Sequence, residues 1–230
     1  MKNITKEKPS TKLHGRTLYS AQLMKNEDIV KKKILDIGCG YGWSILYSLK
    51  KGAASITGTE LSLKDLNTAK KHISNKKVSL TTTPDITKLP FHNEEFDTIT
   101  CWETIEHMPR KKLSAFFKEI QRILKPNGTM YLSTPYHTAF NTFMDPAWHL
   151  INHQHFSKKA ITALTQKNKL TIESFHTQGG MWAIIELYVL YISKWIFKKP
   201  MPWKTTFEKI SDKDYKKPGF FTLFVVIKKI

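Results

Sequence analysis

The chain has 230 residues, and its 37 Lys and Arg outnumber its 19 Asp and Glu, which gives a formal net charge of +18. A chain of this length buries a full hydrophobic core without a disulfide framework, and its two cysteines, Cys39 and Cys101, predict no bridge. The charged segment 1–10 lacks the apolar run of a secretory signal, so we expect a cytoplasmic protein rather than a secreted one.

Residues 1–13 are polar and lysine-rich, and they predict a flexible basic tail. Residues 14–230 predict a single domain. Within it, residues 34–37 predict a buried strand, after which Gly38, Gly40 and Gly42 recur at every second position. Glycine lets the backbone approach a ligand with no side chain between them. A strand, a glycine-rich turn and a following helix build a nucleotide-type pocket at the carboxyl edge of a parallel sheet, although the glycine pattern alone also suits an ordinary tight turn.

Four more strands and the helices between them follow in alternation. The strands are predicted at 55–59, 78–86, 96–101 and 129–134, and the helices over 44–49, from about residue 107, and over 120–124 before a Pro/Gly stop. This alternation predicts a mostly parallel sheet with helices on both faces. Glu60 ends the second strand about twenty residues after the glycines, where doubly wound folds place a carboxylate that accepts from ribose hydroxyls.

These motifs resemble those of the class I S-adenosylmethionine-dependent methyltransferases, in particular the small type 11-like group that includes the ubiquinone-biosynthesis O-methyltransferases. The matching segments are Leu35-Asp36-Ile37-Gly38-Cys39-Gly40 with Gly42, Glu60-Leu61-Ser62, Leu89-Pro90-Phe91 with Phe96-Asp97, Glu103-Thr104-Ile105-Glu106-His107 and Leu124-Lys125-Pro126-Asn127-Gly128. The resemblance covers about residues 30–136 and, more loosely, a last strand at 221–227. It implies a Rossmann-like α/β fold with a seven-stranded, mostly parallel sheet and a helical insert before the last strands.

The resemblance implies S-adenosylmethionine as the cofactor and assigns residues to its parts. Asp36, Gly38 and Gly40 are expected at the amino-acid end, Glu60 at the ribose, Asp85 and Ile86 at the adenine, and Trp102 beside the methyl-transfer pocket; Tyr41 and Leu61 complete the predicted cofactor-binding set. Simpler alternatives stay open, because Asp36 also suits a turn cap, Glu60 a surface acid, and Asp85 a turn after Pro84.

Two polar clusters are candidates for catalysis. The spacing of Glu103 and Glu106 predicts that both lie on one helical face beside His107. The resemblance makes these three residues candidate ligands of a divalent metal, but Glu-His pairs also occur in relatives without a metal, so a metal is not expected. The second cluster, 148–157, contains three histidines before Ser157, a predicted N-cap. Since neutral imidazole accepts a hydroxyl proton, His107 and His153 are the predicted catalytic residues, with a packing loop as the alternative.

Residues 181–198 predict an apolar helix between Gly180 and Pro200, interrupted only by Glu186, Ser193 and Lys194. It is short for a transmembrane span. We interpret it as a lid over the acceptor, a dimer helix, or an interfacial helix on an anionic membrane, the last favoured by Trp182, Trp195 and flanking lysines. Acceptor-side inserts are predicted at about 137–157 and 179–218.

Three functions are consistent with the sequence. The first is O-methylation of a small hydrophobic or lipid-linked acceptor, with the apolar helix as a wall of the acceptor site. The second is methylation of RNA held by the basic surface, although no dedicated RNA-binding module is present. The third is a cofactor-binding partner subunit without catalysis, which the complete set of cofactor motifs disfavours. The sequence assigns no oligomeric state.

Overall fold

The computed structural model describes residues 8–151 and 153–230. Its strands are β1 (Lys33–Ile37), β2 (Ser55–Glu60), β3 (Val78–Thr82), β4 (Phe96–Trp102), β5 (Leu124–Pro135), β6 (Leu170–Gln178) and β7 (Thr222–Lys229). They form one seven-stranded sheet in the order β3-β2-β1-β4-β5-β7-β6. Strands β1 to β5 pair in parallel, while β7 runs antiparallel to both β5 and β6. The predicted seven-stranded, mostly parallel sheet is confirmed.

The helices are α1 (Gly15–Leu23), α2 (Trp43–Lys50), α3 (Leu63–His72), α4 (Arg110–Ile123), α5 (Ala139–Met144), α6 (Pro146–Ile151), α7 (Lys158–Lys167), α8 (Met181–Tyr191) and α9 (Lys204–Asp214). Short 3₁₀ turns cover Asn26–Asp28 and Ile105–His107, and a π-helical turn covers Ile192–Ile196. Neither α8 nor any other helix of the described residues has the length and hydropathy needed to cross a bilayer.

The sheet is covered on both faces because successive strand residues point to opposite sides. On β1, Ile34 packs into one buried cluster, while Leu35 and Ile37 pack into the other. The first cluster includes residues of α2 and α3, and the second includes residues of α4 and α7. Cys39 and Cys101 are buried and unbridged, as the sequence predicts.

Several boundaries differ from those predicted. The predicted third strand stops at Thr82, shortly before Pro84, and α4 begins at Arg110 rather than near residue 107, because Pro109 occupies its N-cap. Residues 124–128 are not a helix end and stop but the first part of β5, with a register shift opposite Phe96. The helix predicted over 181–198 is α8 continued by the π-helical turn.

The N-terminal region contains a helix that the sequence patterns do not predict. Helix α1 packs against α9, and Asp212 accepts a hydrogen bond from the Gly15 amide at 2.6 Å. Of the predicted flexible tail, residues 1–7 lie outside the described part of the chain. The segments predicted as acceptor-side inserts contain α5 and α6 in the first, and α8, the π-helical turn and α9 in the second.

Candidate functional site

The loop between β1 and α2 has the backbone geometry expected of a ligand-binding turn. Gly38, Gly40 and Gly42 have φ of +70°, +54° and +94°, a region that favours glycine. A Cβ at Gly38 would lie 2.3 Å from the Thr104 hydroxyl oxygen, and one at Gly42 would lie 2.5 Å from Ile73 Cδ1. A Cβ at Gly40 would meet nothing within 4 Å. Packing therefore requires glycine at Gly38 and Gly42, whereas the backbone at Gly40 is open to a ligand.

Glu60 lies next to this loop at the carboxyl end of β2. Its Oε2 accepts from the Gly40 amide at 2.9 Å, and its Oε1 accepts from the Ser62 amide at 2.9 Å. The half-buried carboxylate thus fixes the glycine loop and the start of α3 at the same time. Leu61 beside it is 70% exposed, an unusual position for a large apolar residue that is not covered by another group. This arrangement excludes the alternative of Glu60 as a plain surface acid.

Asp36 is buried beneath the loop, at the end of β1. Its Oδ1 accepts from the Thr100 hydroxyl at 2.6 Å, while Oδ2 has no hydrogen-bond partner among the described residues. Burial is the main cause that raises the pKa of Asp36 to about 7; the Thr100 hydroxyl lowers it, the charge of Glu60 raises it further, and the nearby Ser44 hydroxyl lowers it. A buried carboxylate oxygen without a donor is a ready acceptor for a cationic group.

Asp85 closes a turn after β3. Its Oδ1 accepts from the amide and the hydroxyl of Thr87 at 3.1 and 2.7 Å, and its Oδ2 pairs with Lys112 at 3.3 Å. The bonds from Thr87 are the main cause that lowers the pKa of Asp85, and Lys112 adds to the effect. The turn role is therefore seen directly, and the contacts of Asp85 and Ile86 with adenine stay a prediction. Ile86 packs against the core from a partly buried position.

Trp102 ends β4 and forms a wall at the same sheet edge. Its ring lies 6.2 Å from that of Trp43 and 6.4 Å from that of Tyr131, between ring centroids. The indole is buried, and its Nε1 has no hydrogen-bond partner among the described residues. The position of Trp102 beside the methyl-transfer pocket stays a prediction, because Trp102 is not among the described residues that line the cavity next to the glycine loop.

Glu103 does not share a helical face with Glu106, so that prediction is wrong. Glu103 precedes the 3₁₀ turn and has a φ of +47°, which turns its side chain toward the N-terminal helix. Its Oε2 accepts from Arg16 at 2.8 Å, and its Oε1 accepts from the Ser133 hydroxyl at 2.7 Å. Arg16 is a site residue that sequence reasoning missed, because its partner lies 87 positions away and no local pattern marks it.

Glu106 and two histidines form a compact cluster behind Glu103. Glu106 is fully buried, its Oε2 accepts from the Thr134 hydroxyl at 3.2 Å, and its Oε1 lies 3.7 Å from His153 Nε2. Burial and then the charge of Glu103 raise the pKa of Glu106 well above its ordinary value. The His107 and His153 rings are 4.7 Å apart, and burial together with His153 lowers the pKa of His107, which favours neutral imidazole.

A second group extends this cluster through Asp145. Its Oδ2 lies 3.3 Å from His153 Nδ1 and 2.8 Å from His155 Nε2. Burial opposes the negative charge, but the hydrogen bonds to both histidines outweigh it and lower the pKa of Asp145. Asp145 holds the His153 ring in place, and only its position before Pro146 could have marked it in the sequence. His149 lies apart from this cluster and binds the Phe143 carbonyl oxygen at 3.0 Å.

The described residues include two groups whose ligand atoms lie within 4.8 Å of one another, and either could hold a metal ion. They are Glu106, His107 and His153, and Asp145, His153 and His155. Glu103, a candidate ligand from the sequence, belongs to neither group. His153 is common to both, so its Nε2 faces Glu106 while its Nδ1 faces Asp145.

A cavity of about 930 Å³ opens beside the glycine loop. Its walls come from the N-terminal segment and α1, from Tyr41 and Trp43, from α8 with the segment that follows it, and from α9. The apolar lining residues are Leu13, Tyr41, Trp43, Ala183, Leu187, Leu190, Pro200, Met201, Tyr215 and Phe221. The volume is in the range of small-molecule sites. None of Glu106, His107 and His153 is among the described residues that line it.

A doubly wound sheet with a glycine loop after β1 and a carboxylate at the end of β2 defines a Rossmann-like cofactor-binding fold. Residues 34–128, less than half of the chain, match the family described as the methyltransferase domain. The resemblance stated from the sequence motifs is confirmed.

Curated proteins and solved structures similar to this chain are also methyltransferases. A ubiquinone biosynthesis O-methyltransferase of Actinobacillus pleuropneumoniae is 32% identical over 116 residues, 48% of each chain, and one of Coxiella burnetii is 33% identical over 104 residues, 45% of this chain and 43% of its own. The chain thus spans about half the length of the curated relatives it matches. An S-adenosylmethionine-dependent methyltransferase of Mesorhizobium loti shares the fold, with a TM-score of 0.65, 16% identity, and coverage of 92% of this chain and 96% of its own.

Proposed function

We propose that this protein transfers the methyl group of S-adenosylmethionine to an oxygen atom of a small hydrophobic or lipid-linked acceptor. The observation that carries the proposal is the cofactor cradle: an open glycine loop, Glu60 fixed beside it, and the unpartnered Asp36 oxygen beneath it. The methyltransferase domain match supports the cofactor, and the similarity to ubiquinone biosynthesis O-methyltransferases supports transfer to oxygen.

The chain's own groups fit S-adenosylmethionine. Asp36 would bind the ammonium at the amino-acid end together with the Gly38 and Gly40 backbone, and Glu60 would accept from the ribose hydroxyls. The bound cofactor supplies a methyl group already activated by its sulfonium. The protein therefore needs mainly to align the acceptor oxygen and to exclude water from it.

The acceptor would occupy the cavity beside the glycine loop, since its apolar walls come from α8, Met201 and Trp43. Transfer to a hydroxyl releases a proton, and a neutral imidazole with an oriented ring is suited to accept it. We assign this role to His153, whose Nδ1 is held by Asp145, with His107 as its neighbour; because neither histidine is among the described residues that line the cavity, the acceptor hydroxyl would have to extend beyond it to reach them. Buried Glu106 lies 3.7 Å from His153 Nε2, and because burial raises the pKa of Glu106, its neutral form is favoured and it offers a hydrogen bond rather than a counter-charge.

A divalent metal is an alternative way to lower the pKa of the acceptor hydroxyl, and the group of Glu106, His107 and His153 could hold one. We expect methyl transfer to survive chelation, because the activated methyl group needs no Lewis acid. The measurement is turnover in EDTA, followed by addition of Mg²⁺, Mn²⁺ or Co²⁺. Loss of turnover with rescue by one of these ions would contradict this expectation and establish the metal site.

The outer side of α8 supports a lipid partner. Met181 and Tyr188 of α8, and Ile192 and Ile196 of the π-helical turn that continues it, follow at spacings of seven, four and four residues and are 45%, 36%, 43% and 69% exposed; Trp182 is 49% exposed. Lys198, Lys199 and Lys204 follow at the end of this segment. An apolar face bordered by lysines is typical of helices that rest in an anionic membrane interface. The side chain of Trp195 lies outside what the structure describes.

The test is a product search. The protein is incubated with radiolabelled S-adenosylmethionine in three separate reactions, which contain a lipid extract, a panel of apolar phenols or total RNA. Labelled products are identified by mass. We expect label in an O-methyl group of a lipid or phenol. Label confined to RNA would replace the proposed acceptor class, and S-adenosylhomocysteine binding without transfer to any class would leave the cofactor-binding subunit as the function.

A further inference from the structure

The cavity beside the glycine loop has a strongly basic rim in addition to its apolar walls. Of the 23 described residues that line it, seven are Lys or Arg, whereas the whole chain has 37 in 230. Basic residues are thus about twice as frequent at the cavity as in the chain, so the general basicity of the protein does not account for them. They come from three separate parts of the chain: the N-terminal segment, the residues that follow α8, and the start of α9.

The acidic residues of the cavity do not cancel this charge. Glu208 lies 3.8 Å from Lys204 and 3.8 Å from His14 Nε2, so its carboxylate is already paired with a cavity lysine. Burial raises the pKa of Glu186 and shifts this side chain toward its neutral form. Arg16 is paired with Glu103 at 2.8 Å, and its charge is therefore largely committed.

Three other basic side chains at the rim stay available to a ligand. Lys12, Lys198 and Lys199 make no ion pair with any described residue, and all three are exposed. Clustered lysines without acidic partners raise the local concentration of anions and bind phosphate as point charges. Below them, Leu187, Leu190 and Met201 present apolar surface to the same cavity.

We propose that this cavity binds an amphipathic anion, with a phosphate or diphosphate group at Lys12, Lys198 and Lys199 and an apolar chain along α8. This inference rests on the proposed function, since it names the chemical class of the acceptor for the same site. A cavity of about 930 Å³ is large enough to hold both parts of a molecule of this kind. The anionic end binds at the mouth and the apolar chain is buried, which separates the charge from the low-dielectric interior.

The experiment compares octyl phosphate, octanol and inorganic phosphate as ligands of the protein saturated with S-adenosylhomocysteine, by calorimetry below the micelle concentration. We expect octyl phosphate to bind at least tenfold more tightly than either of the other two. Equal affinity for octanol would overturn the role of the lysines, and equal affinity for inorganic phosphate would overturn the role of the apolar wall.

The double variant Lys198→Gln/Lys199→Gln should lose the preference for octyl phosphate over octanol, and raised salt should weaken the same preference in the native protein. The matched control is Lys111→Gln/Lys118→Gln, which removes two exposed lysines of α4 outside the cavity and should keep the preference. If Lys198→Gln/Lys199→Gln keeps the preference for octyl phosphate over octanol, the assignment of the phosphate group to these lysines is overturned. S-adenosylhomocysteine affinity and transfer to neutral acceptors are measured alongside in the native protein, and their absence would count against the proposed function. Absence of the phosphate preference alone counts only against this inference.

Discussion

At the scale of single residues, Glu60 fixes the glycine loop and is the residue that we propose binds the cofactor ribose. Its two oxygens accept from the Gly40 and Ser62 amides. Glu60→Ala removes two charge-assisted hydrogen bonds, each worth roughly 1.5–3 kcal/mol when buried. We expect S-adenosylhomocysteine affinity to fall about a hundredfold or more by calorimetry, with an unchanged circular dichroism spectrum. Unaltered affinity would remove Glu60 from the cofactor site.

The proposed contact of Asp36 with the cofactor predicts that cofactor binding depends on pH. Its pKa of about 7 means that the carboxyl is partly protonated at neutral pH, and only the carboxylate can pair with the cofactor ammonium. Cofactor binding therefore favours proton release, and affinity should fall as pH decreases through 7. Between pH 8 and pH 6 we expect the dissociation constant of S-adenosylhomocysteine to rise roughly tenfold.

The matched variant is Asp36→Asn, which should bind S-adenosylhomocysteine weakly and with the same affinity at pH 8 and pH 6.

The folding stability that Asp36 contributes changes with pH in the opposite direction to cofactor affinity. Because the folded-state pKa of Asp36 lies above that of an exposed aspartate, about 3.9, its contribution to stability decreases as pH rises from about 4 to about 7. Asp36→Asn should remove that decrease, as measured by urea unfolding of both proteins across this range. A pH-independent difference between the two would show that Asp36 is ionised throughout.

At the scale of elements, local patterns predict the strands and the glycine loop well. Buried parallel strands are short apolar runs, and the turn after β1 requires glycine at positions such as Gly42, so both features are written in neighbouring residues. The groups around the histidine cluster could not be predicted in this way. Asp145, just before α6, contacts His153, just after it, and Arg16 reaches Glu103 from α1, which lies 87 positions earlier in the chain.

The prediction that Glu103 and Glu106 lie on one helical face is wrong for a physical reason. Helical spacing brings residues i and i+3 together only inside a helix, and here Pro109 delays α4 until Arg110. Glu103 instead adopts a left-handed backbone and faces α1. The spacing of the motif therefore assigned Glu103 and Glu106 an arrangement that the structure does not have, and the roles predicted for them stay predictions.

The outer face of α8 is the element with the clearest experimental consequence. Ile192 is 43% exposed, and Ile192→Ser should weaken sedimentation with anionic liposomes several-fold, since burial of such a side chain is worth about 1–3 kcal/mol. Val30→Ser is the matched control. Val30 is also 43% exposed, but it follows the 3₁₀ turn Asn26–Asp28 and lies just before β1, away from α8 in the chain. S-adenosylhomocysteine affinity should be unchanged in both. Equal liposome binding by the two variants would leave this face for another partner, such as a second copy of the chain.

At the scale of the whole molecule, the net charge of +18 attracts RNA and anionic lipid alike, and salt distinguishes them. Binding that depends on 6–10 phosphate contacts loses roughly 10³–10⁵ in affinity between 50 and 200 mM salt. Burial of the α8 face in a lipid interface is not screened in this way, because the apolar contribution does not depend on ionic strength.

We therefore expect an RNA oligonucleotide bound at 50 mM salt to be released at 200 mM, whereas liposomes retain part of the protein at both concentrations. Cofactor affinity, which we propose depends on contacts of buried Asp36 and half-buried Glu60, should change little and serves as the internal control. RNA retained at 200 mM together with methylated nucleotides would mean that the basic surface binds the substrate itself. Release of both ligands would mean that the charge alone held the protein to the membrane, and the apolar face of α8 would then need a protein partner to cover it.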